Sequence, residues 1–219
     1  AFPGGFSYAD DTGSGNALAN KIRNNLQDDL LKFINEDKLI IGLCNGMQIM
    51  ANLGLIPATD LKYGERQAAL MRNLYVKLEC RWIWLKNTSK KCIWTQNIEM
   101  MHLPVSHGEG NFYVTPETLE KMKKEDQIVF KYVKPNGTDA NREFPFNPNG
   151  AMEDIAGVCD PTGKIFAMMP HPERFNSWTN EEGWELKKEK MIREGKDPTN
   201  FPKEGDGLKI FKNGVNYFK

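Results

Sequence analysis

One cysteine, Cys44, stands where an apolar run gives way to a helix, and that junction constrains the chain more than any other feature. Before it lies Leu39-Ile40-Ile41, a short run of strand type. After it, Met47 to Leu53 reads as a helix closed by Gly54 in the C-cap position. Gly42 and Gly46 on either side let the backbone fold tightly enough to push a side chain out at the strand's end. A chain built around such an elbow feeds strands into helices, and the same elbow presents the nucleophile of serine hydrolases, here with sulfur. Unpaired N–H groups at the helix start favour an anionic side chain there. The local pattern is equally compatible with a small buried residue in a tight turn.

A base for this cysteine is offered far downstream. Lys164 to Met169 reads as a second buried strand and runs into Pro170-His171-Pro172-Glu173-Arg174. Pro172 disfavours an α conformation at His171, and Pro170 removes a backbone donor, so the histidine is expected on a rigid, extended turn. Glu173 follows two residues later, able to point the same way along an extended chain. A base with a carboxylate to orient it is what a cysteine needs to attack and then protonate its leaving group. A loop histidine satisfied by backbone is the competing reading. At the start of the chain, Gly4-Gly5-Phe6 could aim backbone N–H groups at a developing oxyanion, although paired glycines are more often a turn.

Taken in order, Gly-Gly-Phe-Ser-Tyr (4–8), Gly-Leu-Cys-Asn-Gly-Met-Gln (42–48), Ser-His-Gly-Glu-Gly (106–110), Asn-Pro-Asn-Gly (147–150) and Met-Met-Pro-His-Pro-Glu-Arg (168–174) resemble a class I glutamine amidotransferase. The first, third and fourth blocks resemble, more narrowly, the glutaminase components of phosphoribosylformylglycinamidine synthase. The likeness runs from residue 2 to about residue 178. It implies an α/β fold of the layered, flavodoxin-like kind, with a mainly parallel central sheet and an antiparallel flank. The family places a strand–helix–strand unit of roughly 30 or more residues before the glycine loop. The chain opens at Ala1-Phe2-Pro3, inside that motif, so the unit is expected to be missing here.

The resemblance assigns roles. Cys44 would form a γ-glutamyl thioester with glutamine, His171 would protonate the departing ammonia and activate water, and Glu173 would hold His171. Gly5 or Phe6, with the N–H of Asn45, would form the oxyanion hole, and Gln48 would contact glutamine. His107 and Glu109 are expected at the boundary with a synthetase. The implied partner is an ATP-dependent formylglycinamidine ribonucleotide synthetase, as a subunit or a domain, alone or with a small accessory subunit. ATP and magnesium are expected on that partner, with no cofactor or metal in this chain and a cytoplasmic setting. No Gly-x-x-x-x-Gly-Lys-Ser/Thr motif is present. A non-catalytic scaffold of the same complex, or another cysteine hydrolase of this fold, are the alternatives. Ala9 departs from the glycine of many stand-alone relatives, and Asn111 from an expected basic residue.

Composition narrows the partners further. Lys plus Arg equals Asp plus Glu, 29 each among 219 residues, so no strong field favours nucleic acid or an anionic membrane. Cysteines at 44, 80, 92 and 159 form no Cys-x-x-Cys pair, and three histidines are too few to suggest a structural zinc site. Leu18, Ile22, Leu26, Leu30 and Ile34 predict an amphipathic helix before the first strand. Alternation over Val76 to Trp82 predicts a strand that buries Cys80. Thr115-Pro116 predicts a helix start running to Lys124, and Gln127–Val133 and Asp154–Cys159 read as strands. His102 is read as structural, and Gly13-Ser14-Gly15 as a flexible helix entry. Residues 1–219 are read as one domain, with 179–219 an extension whose helix from Glu181 to Arg193 is solvated.

Overall fold

In the computed structural model, residues 1–219 are described, the side chain of Pro198 excepted. Helix α1 (Asn16–Asn35) leads into strand β1 (Ile40–Leu43), which passes through Cys44 into α2 (Asn45–Leu53). A small antiparallel pair is formed by β2 (Ala68–Met71) and β5 (Asn111–Val114). Strands β3 (Glu79–Asn87) and β4 (Met100–His107) form a long hairpin. Then follow α3 (Pro116–Lys124), β6 (Ile128–Val133), β7 (Ile155–Cys159), β8 (Ile165–Met168), α4 (Trp184–Arg193) and α5 (Leu208–Asn216). The start of α3 is as its sequence predicts: Thr115 caps it, accepting from the Thr118 N–H, with Pro116 in the first turn.

The central sheet has the order β1-β8-β7-β6-β3-β4. The α/β class holds, but the expectation of a mainly parallel sheet does not. Only β1 and β8 pair in parallel, with an isolated parallel bridge from Phe2 to Gly42; the other four pairings are antiparallel. Parallel neighbours need a long crossover, and β7 turns back into β8 through only the five residues 160–164. The sheet is mixed and curled. Although β4 lies at the opposite edge from β1, the Pro104 carbonyl accepts from the His171 N–H (2.9 Å), and the Ser106 carbonyl lies 3.6 Å from Cys44 Sγ. That closure brings both edges to one place.

Two apolar patterns are placed differently from their sequence reading. In the α1 stripe, Leu18, Ile22, Leu30 and Ile34 pack on the core, while Leu26 stays exposed. Strand β3 starts at Glu79 rather than Val76, and it is Glu79 that is buried while Cys80 is exposed. Glu79 is tolerated inside because Lys77 and Arg81, two residues to either side, reach its carboxylate at 3.2 and 2.6 Å. The tail is divided. Helix α5 sends Ile210 into the core, sets Gly214 against the Trp94 ring and donates from Asn213 to the Trp94 and Gln96 carbonyls. Helix α4 buries no residue, as its charge pattern predicts. His102 stacks on Trp84 (4.5 Å between ring centroids). No described helix is long and apolar enough to cross a membrane.

Candidate active site

Strand β1 ends between two neighbours, and this fixes the elbow. The Cys44 N–H donates to Met168 O of β8 (2.8 Å), and on the other side Leu43 N–H donates to Phe2 O (3.0 Å). The strained residue is Cys44 itself, with φ 51° and ψ −106°. The glycines are needed for close approach rather than for unusual dihedrals. A Cβ on Gly46 would sit 2.0 Å from the Phe2 carbonyl oxygen, and one on Gly42 would meet Met50 Sδ at 2.3 Å and the Gly46 backbone at 3.0 Å. A side chain held in so sparsely populated a conformation, at the exit of a strand, is a mark of function.

β8 delivers the histidine to the same end. His171 has φ −108° and ψ 85°, outside the α region as the following proline requires. The chain beyond it is not extended: Pro172–Arg174 form a single 3₁₀ turn, which folds Glu173 back until its Oε1 lies 2.5 Å from His171 Nδ1. The other ring nitrogen, Nε2, is buried without a hydrogen-bond partner among the described residues. Burial alone would lower the pKa of this ring. Its interactions with Cys44 and Glu173 outweigh that and push it up to about 9, so the ring is charged at neutral pH.

The glycine loop closes over the pair. Gly4, the first glycine of that loop, lies against both residues: a Cβ there would stand 2.9 Å from His171 Cε1 and 3.5 Å from Cys44 Cβ. Gly5 has φ 141° and lines the cavity with Phe6. Ser7 N–H donates to Asn45 Oδ1 (3.2 Å), tying the loop to the start of α2. Asn45 is the first residue of that helix, so its N–H has no intrahelical acceptor. Gln48 lines the cavity, but its amide is committed: Nε2 donates to Glu109 O (2.6 Å), and Oε1 accepts from Asn45 Nδ2 (2.8 Å).

His107 and Glu109 part ways. Glu109 lines the cavity and accepts from the Ser14 N–H at 3.1 Å. His107 is 1% exposed and so presents no side-chain surface to a partner. Its Nδ1 lies 3.2 Å from Asn73 Oδ1, and its Nε2 lies 3.4 Å from Asn149 Nδ2. Burial drives its pKa down to about 4, with the charge of His171 adding to the effect, so it remains neutral. Asn73 also holds the Lys77 and His107 carbonyls and accepts from the Gly110 N–H. Asn73 was not legible as a site residue, since no local motif marks it; Ser106 and Asn149 lie in motifs whose place at the site only the sheet's closure reveals. The cavity itself measures about 270 Å³, at the small end of ligand sites.

A curled α/β sheet with a cysteine elbow, and a carboxylate-bound histidine beside it, is the framework of a class I glutamine amidotransferase. The chain belongs to the CobB/CobQ-like glutamine amidotransferase domain family, whose model matches residues 1–218. It is 53% identical over 219 residues to phosphoribosylformylglycinamidine synthase subunit PurQ of Methanococcus maripaludis, an alignment covering 99% of this chain and 79% of that one. The PurQ subunit of Dehalococcoides mccartyi is 40% identical over 218 residues, covering 99% and 78%. Among solved structures, PurLQS from Thermotoga maritima superposes with a TM-score of 0.66 at 28% identity, covering 99% of this chain and 78% of that one.

Proposed function

We propose that this chain is the glutaminase component of phosphoribosylformylglycinamidine synthase, hydrolysing glutamine and passing the ammonia to an ATP-dependent synthetase of purine biosynthesis. The observation that carries the reading is the strained Cys44 elbow beside a histidine that Glu173 holds at 2.5 Å. With the thiol proton lodged on His171, Cys44 Sγ attacks the side-chain amide carbon of glutamine. The oxygen of the tetrahedral intermediate is met by N–H groups of Asn45 and of Gly5 or Phe6. His171 gives its proton to the amide nitrogen, the C–N bond breaks, and ammonia leaves a γ-glutamyl thioester. The neutral ring then takes a proton from water, whose oxygen attacks the thioester; glutamate departs and the sulfur and His171 return to their starting state.

The partner completes the reaction, supplying the synthetase with its ATP and magnesium, as a subunit or domain with a small accessory subunit; the setting is the cytoplasm. Apolar side chains at the cavity support a docked partner there. Phe6, Val76 and Leu78 line its mouth yet are 58, 73 and 56% exposed, and Leu74 and Tyr75 extend the patch. The test is intact-protein mass after incubation with an electrophilic glutamine analogue, for the wild type and for Cys44→Ser, each with the synthetase present. One adduct on the wild type, absent from the variant, is expected. No adduct on either would sink the glutaminase reading and leave a scaffold; an adduct on both would move the nucleophile elsewhere.

A further inference from the structure

The cavity that contains Cys44 has charged walls that the thioester chemistry does not use. Asp10, Glu109, Arg72 and Lys77 all line it, beside Ser14. Both carboxylates converge on Ser14: its N–H donates to Glu109 Oε2 (3.1 Å), and its hydroxyl donates to Asp10 Oδ2 (3.1 Å). Two carboxylates anchored to one residue repel each other unless a cation joins them. Asp10 shows the strain of that position. Burial raises its pKa above the usual carboxylate range, bonds from Ser14 and the Gly15 backbone oppose the rise, and the Glu109 charge adds to it.

One acceptor is left over. Asp10 Oδ1 is buried and has no hydrogen-bond partner, and no described side-chain cation pairs with Asp10. Arg72 approaches Glu109 Oε1 only at 3.9 Å, from a largely exposed position. The backbone holds Asp10 there at a cost. Tyr8, Ala9 and Asp10 are three consecutive left-handed residues, with φ of 55, 53 and 57°, a conformation unfavourable for L-residues. Asp10 lines the reaction cavity, and its unpaired carboxylate oxygen calls for a donor with positive charge. Glutamine brings one, four bonds from its reacting carbon.

We propose that Asp10 and Glu109 are specificity-determining residues that receive the α-ammonium of the substrate amino acid, with Arg72 and Lys77 available to its α-carboxylate. This assignment rests on the glutaminase reading above. It makes the cavity a receptor for a zwitterion: opposite charges, in equal number, line the space next to the nucleophile. An amide lacking the ammonium would leave Asp10 Oδ1 unpaired in the complex as well, and would be rejected on that account.

The test compares glutamine with glutaramate, which is glutamine without its α-amino group, in the enzyme assembled with its synthetase. Wild type is expected to prefer glutamine. In Asp10→Asn, KM for glutamine should rise about 10–100-fold with kcat changed far less, while kcat/KM for glutaramate stays within about threefold. Glu109→Gln should do the same more weakly, because Arg72 and Ser14 share its charge. Ammonia-dependent synthesis reports that each variant is folded and assembled. Should Asp10→Asn fail that control, the two-substrate comparison on Glu109→Gln decides. Equal losses for both substrates would make these residues structural and overturn the proposal, as would an unchanged KM for glutamine. Wild type that turns over no glutamine at all would overturn the glutaminase reading instead, and the subsite with it.

Discussion

Two buried histidines stand near Cys44 in this protein and are held in opposite states. His171 is bound at Nδ1 by a carboxylate, and its pKa is raised to about 9; His107 is bound by two amides, and its pKa is lowered to about 4. Both are buried. Burial pulls both pKa values down, so the partner decides the outcome: Glu173 and Cys44 reverse the trend at His171, while neutral Asn73 and Asn149 let it stand at His107. The lesson is that depth alone does not make a histidine reactive. Charge on a neighbour does, and the charged histidine then helps to keep the other one neutral.

The sharpest way to break this comparison is to remove the charged side. Cys44→Ala or His171→Ala should lower glutamine-dependent synthesis by about 10⁴-fold or more. Ammonia-dependent synthesis by the assembled enzyme should survive both, which steady-state assays with the two nitrogen donors would show. His107→Ala should behave in the opposite manner. It strands Asn73 and Asn149 and opens a cavity, so a loss of about 2–4 kcal/mol in chemical denaturation is expected. Any loss of turnover should follow that loosening. A His107 variant that keeps its stability but loses glutaminase activity would end the distinction.

How much of this was legible in the sequence depended on whether the cause was local. Cys44, His171 and Glu173 sit in short stretches that glycine and proline mark; the elbow forms as read, while beyond His171 the chain turns where an extended run was expected and still brings Glu173 to the ring. The neutral side of the cleft is different. Asn73, His107 and Asn149 meet because the curled sheet brings β4 and the 147–150 loop together, and no periodicity announces that. The strand from Glu79 misled for a related reason. Trp82-Ile83-Trp84-Leu85 is apolar on both faces, so it does not reveal which face is inside. The preceding residues then suggest the wrong one, since Lys77, Glu79 and Arg81 neutralise one another on the buried side. Arg81 and Lys77 further lie over the Phe144 ring, at 4.6 and 5.4 Å.

Titration separates the two histidines by sign. The folded pKa of His171 lies above the unfolded value of about 6.5, so its contribution to stability is complete below that pH and is lost as pH rises towards 9. The folded pKa of His107 lies below, so stability is lost as pH falls from about 6.5 to 4. Denaturation midpoints followed across pH should therefore fall on both sides of neutrality. His171→Gln should flatten the alkaline limb and leave the acid limb. In Cys44→Ala the alkaline limb should move to lower pH, because the sulfur is one of the two groups that raise His171. An alkaline limb indifferent to both variants would assign it to other groups.

The smallest effect concerns strain on the charged side alone. Ala9 occupies the left-handed region at φ 53°, between two other left-handed residues, where glycine carries no Cβ penalty. The resemblance leads one to expect glycine at this position, and the dihedral gives a physical reason for that expectation. Ala9→Gly should relieve the clash between Cβ and backbone while giving back some entropy to the unfolded chain, for a net gain of about 0.5–1 kcal/mol. Because the turn is retained, Asp10 stays in the cavity wall and KM for glutamine should not move. A gain in denaturation midpoint with unchanged kinetics would place the strain in the scaffold. A gain accompanied by a higher KM would show that the strained alanine holds Asp10 in position, and that the cleft's charged side is kept taut where its neutral side is relaxed.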